Sequence, residues 1–165
     1  MDKASDTKLR DHLVTALEGR VAHMDLREVV AGFPKEAMNT PPPNSTATAW
    51  HLLEHIRFAQ RDILDFMSDP GYEEPAWPDD FWPGPDERTN RAGWERTIGA
   101  IEKDLEELID LIRDPNTDLL APLAHAPGYT VMREALLIVD HTSYHLGELS
   151  MLRGVLDIRP ASGWW

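Results

Sequence analysis

The sequence predicts an all-α protein built as a four-helix bundle. Four long segments carry apolar residues at three- and four-residue spacing. Proline-bearing breaks separate them, and no stretch alternates with period two for long enough to build a sheet. At 165 residues the chain suits one domain, residues 1–165, with a substantial core.

The first segment, about Ser5 to Val30, repeats Leu9, Leu13, Leu17, Val21 and Met24. "GFPKEAMNTPPPNST" ends it, because successive prolines remove backbone donors and clash with the preceding turn. The second helix, about Thr48 to Met67, has Ser45 or Thr46 as candidate cap and a stripe of Leu52, Leu53, Ile56, Ala59, Ile63 and Phe66. A long connection rich in proline and tryptophan follows, "SDPGYEEPAWPDDFWPGPDE". The third helix, about Thr89 to Arg113, sets Trp94, Ile98, Ile101, Leu105, Leu108 and Ile112 against a face of Glu102, Asp104, Glu106, Glu107 and Asp110, expected to be solvated. Thr130 can cap the fourth helix, about Val131 to Leu156. The expected core is Leu53, Ile56, Ile98, Leu105, Leu137 and Leu149.

Composition narrows the function. A formal net charge of -13 repels phosphate backbones and anionic lipid, so neither nucleic acid nor membrane is expected as a partner. No apolar run approaches the roughly 20 residues of a membrane span, and "MDKASDTKLRDHL" lacks the basic and apolar regions of a signal peptide. A cytoplasmic location is the expectation. The chain has no cysteine, which removes disulfides, thiolate ligands and a cysteine nucleophile.

The chemistry-bearing pattern is histidine at four-residue spacing. His141 and His145 in "IVDHTSYHLGELSMLRGVL" share one helix face and can direct two imidazoles at one point. His51 and His55 in "WHLLEHIRFAQRDIL" repeat the spacing, and His51 either joins the site or faces outward. An inward His55 meeting His141 and His145 would supply three neutral nitrogens to a divalent ion and leave positions open for water or substrate. The alternative is three unrelated histidines, each a surface or satisfied core residue. His12, His23 and His125 lack a partner pattern and read as structural. Glu54, Asp62, Asp140 and Glu148 are close enough in sequence to support ligands, or are solvated carboxylates or members of helix salt bridges.

"AWHLLEHIRFAQRDILDF" and "VDHTSYHLGEL" resemble the second and last bundle helices of the DinB/YfiT-like proteins. The resemblance covers essentially the whole chain, while its specific motifs occupy two helices. It implies a four-helix bundle in which His55, His141 and His145 bind a divalent metal, nickel or zinc foremost. Many relatives read H-H-R-G-Q around the last ligand. Here Tyr144 precedes it, Leu146 follows it and Glu148 stands in place of glutamine, so a basic contact to an anionic substrate is lost.

The resemblance further implies a metal-dependent transferase that activates a low-molecular-weight thiol against an electrophile. A metal-dependent hydrolase and a non-enzymatic metal-binding bundle are the alternatives. Metal binding is expected to weaken below about pH 6 as protons compete for imidazole. Trp77, Phe81 and Trp82 are expected to cap the core at the end carrying His55. The ending "GWW", with Trp164 and Trp165, favours a homodimer over packing on its own bundle.

Overall fold

A computed structural model describes residues 2–158. Among these residues it is all-helical, with α1 (Lys3–Leu17), α2 (Leu26–Val30), α3 (Ala49–Ser68), α4 (Arg91–Arg113), α5 (Val131–Val155) and a short 3-10 turn, Asp79–Phe81. The ending with Trp164 and Trp165 lies outside the described residues.

Each long helix starts on a side-chain cap that satisfies otherwise orphaned N–H groups. Asp2 accepts from Ala4 and Ser5, Asn90 from Gly93, and Thr130 from Arg133, as expected for the last of these. The cap of α3 is Thr48, not Ser45 or Thr46.

The expected first helix is two. Gly19 takes a φ of +70°, the left-handed conformation that commonly ends a helix, and Asp25 with Glu28 forms a capping box that starts α2. Apolar spacing runs across this turn without being helical there, and Val21 is exposed.

The helices pack as a ring in which α3 touches α4 and α5, and α1 touches the same two from the opposite side. Their directions follow from side-chain contacts. Gln60 donates to the Ile101 carbonyl at 2.7 Å and Arg61 to Asp104 at 3.1 Å, while Glu54, further back on α3, meets Thr97, further back on α4. These pairs advance together, so α3 and α4 are parallel. His55 meets His141 and Phe66 meets Tyr129, so α5 runs against α3. Arg10, midway along α1, donates to the carbonyl of Ile112 at the end of α4, while Leu17 at the end of α1 lines a cavity with Ile101, further back on α4, so that pair is antiparallel.

Parallel α3 and α4 require residues 69–90 to return the length of α3, which is 20 residues or about 30 Å. That journey is the reason for the long Pro/Trp connection, and it carries Phe81 and Trp82 back to His55.

The core around the histidine end contains Leu53, Ile56, Trp94, Ile98 and Leu149, all buried. A second cluster around Leu13, Leu64, Leu108 and Ile112 fills the other end. Leu105 is partly buried, and Leu137 is 39% exposed, contrary to expectation. Leu137 precedes Tyr144 by two turns and shares its outward face, where Tyr144 is also exposed. Asp104 likewise departs from the expected solvated face: it is buried and paired with Arg61.

Candidate metal centre

His55 projects from the first half of α3, and His141 and His145 from the middle of α5. One ring nitrogen from each lies within 4.8 Å of the other two. His55 and His145 are buried and His141 is half-buried. The antiparallel packing of α3 on α5 brings them together.

The outward nitrogens define which face of each ring is available. His55 Nδ1–H donates to the Phe81 carbonyl at 2.9 Å, leaving Nε2 directed inward. His145 Nδ1–H donates to Glu148 Oε2 at 2.6 Å, with the same result. His141 Nε2 lies 3.0 Å from His55 Nε2. Because His55 has placed its proton on Nδ1, His141 donates in that contact.

Burial and the proximity of His145 hold His141 well below the usual imidazole range, at about 4. Burial is also the main cause of the lowered pKa of His55, opposed by its bond to the Phe81 carbonyl. Neutral rings are the form that ligates a cation. Three convergent imidazoles, two of them oriented by outside acceptors, therefore form a donor set that can hold a divalent ion.

The aromatic crossover lies at this end, as expected. Trp82 stacks on His55 with ring centroids 3.8 Å apart and planes 8° from parallel. Trp77 meets His55 edge-on at 6.3 Å but is 69% exposed, so it does not cap the core. Phe81 contributes its backbone carbonyl, a role that no side-chain pattern announces.

His51 does not join the cluster. Its Nδ1 accepts from the Thr48 backbone N–H at 3.1 Å, closing a capping box, and its Nε2–H donates to the Gly84 carbonyl at 3.3 Å. His23 bonds Ser143, His125 bonds the Phe66 carbonyl, and His12 is exposed. Of the acidic candidates, only Glu148 touches a clustered histidine. Glu54 engages Arg57 and Thr97, Asp62 accepts from Tyr72, and Asp140 is exposed.

No helix of the described residues is long and apolar enough to cross a membrane. Comparison with curated proteins finds no match. The DinB superfamily profile matches residues 19–149, a span that contains His55, His141, His145 and the crossover between α3 and α4. With most of its length matched and its helices arranged as a bundle around these histidines, the chain belongs to the DinB superfamily.

Proposed function

We propose that His55, His141 and His145 bind one divalent metal, nickel or zinc foremost, and that the protein is a transferase acting on a low-molecular-weight thiol and an electrophile. The observation that carries this reading is the convergence of three ring nitrogens within 4.8 Å. When bound, the ion supplies positive charge that favours a thiolate over a thiol. The chain has no cysteine, so the thiol comes from a substrate.

The protein's own groups supply orientation. Phe81 and Glu148 set the ring tautomers of His55 and His145, and Trp82 fixes the plane of His55 by stacking. His141 is only half-buried, so the cluster is not sealed from solvent.

The test is elemental analysis of the purified protein, followed by a screen of thiols against electrophiles with metal-loaded protein. Thiol-dependent loss of the electrophile that disappears on chelation supports transfer. Metal-dependent turnover without thiol would replace it with hydrolysis, and metal binding without turnover would replace it with a non-enzymatic role.

A further inference from the structure

Glu148 differs from every other group around the cluster: it is an anion bonded directly to one of the three histidines. Its Oε2 accepts from His145 Nδ1 at 2.6 Å. The two residues are three apart on α5, so one rigid helix sets their separation. The His145 side chain is 9% exposed and that of Glu148 41%, which places the carboxylate between the buried ring and solvent. His55, by contrast, is oriented by a neutral carbonyl on the crossover.

We propose that Glu148 is a positioning residue that holds His145 with Nε2 inward and lends its negative charge to the metal centre. This rests on the three-histidine reading above. A carboxylate partner makes imidazole a stronger donor and lowers the net charge of the loaded site from that of three neutral ligands alone. The consequence is tighter retention of the cation together with weaker attraction for an added anion. A glutamine could preserve the acceptor while removing the charge; an alanine would remove both.

The experiment uses the full chain loaded with cobalt(II), comparing wild type, Glu148→Gln and Glu148→Ala. Chelator competition should show cobalt affinity reduced by about 10–100-fold in Glu148→Ala and by less in Glu148→Gln. Titration with azide, followed by cobalt absorption, should show azide binding strengthened by about tenfold in Glu148→Gln, with neutral imidazole binding unchanged. A merely structural role would lower the thermal midpoint of the metal-free variants without changing the azide-to-imidazole ratio. Unchanged cobalt affinity in Glu148→Ala, or an unchanged azide-to-imidazole ratio in Glu148→Gln, overturns the proposal. Failure of the wild type to bind cobalt overturns the three-histidine reading itself.

Discussion

His51 and His55 stand one turn apart on α3, and each donates a ring N–H to the backbone of the same crossover, yet only His55 joins the histidine cluster. His51 spends its other nitrogen on the Thr48 N–H, while His55 keeps its own for the facing helix. The pair separates fold from function and makes an internal control.

His51→Ala removes the capping box and the bond to Gly84, and should destabilise the protein by about 1–2 kcal/mol with metal content unchanged. Denaturant unfolding and elemental analysis on the same sample check both halves. Loss of metal in this variant would place His51 in the centre after all.

Alanine at His55, His141 or His145 should remove most bound metal while helicity stays largely intact. His12→Ala, on an exposed part of α1, should do neither. Circular dichroism and metal stoichiometry across the four variants decide the matter. Full metal content in any of the three cluster variants would remove that residue from the ligand set.

The metal-free protein should lose stability as the pH falls from about 6.5 toward 4. Folding holds His141 down at about 4, against a reference near 6.5 for the unfolded chain. Between these values the unfolded chain takes up a proton that the folded chain refuses, so the contribution is complete above the upper value and lost on acidification. Urea unfolding of chelated protein should show a shallower acid dependence in His141→Asn. Identical dependence in the two proteins would refute the assignment.

Leu53→Ala should cost about 2–5 kcal/mol, because Leu53 is fully buried between the helices of the histidine end. Leu137→Ala should change stability by no more than about 0.5 kcal/mol, since Leu137 lies on the outward face of α5. Equilibrium unfolding midpoints of the two variants measure the contrast.

Periodicity and punctuation were enough to predict the helical class, three of the four long helices to within about two residues, and the pairing of His141 with His145. These are local properties: they follow from the 3.6-residue repeat and from where a chain can be capped or broken. The same local signal misread the first helix, because Leu17, Val21 and Met24 keep helical spacing across a turn that Gly19 makes possible. It also could not separate His51 from His55, which have equal claims by spacing, or recognise Leu137 as outward-facing. Tertiary structure decided those points. Parallel packing of α3 and α4 sends residues 69–90 back along the bundle, and that return delivers the Gly84 carbonyl to His51 and the Phe81 carbonyl and Trp82 ring to His55. Convergence of three imidazoles depends on which helices become neighbours and in which direction they run, a relation between residues 86 positions apart that no local pattern encodes.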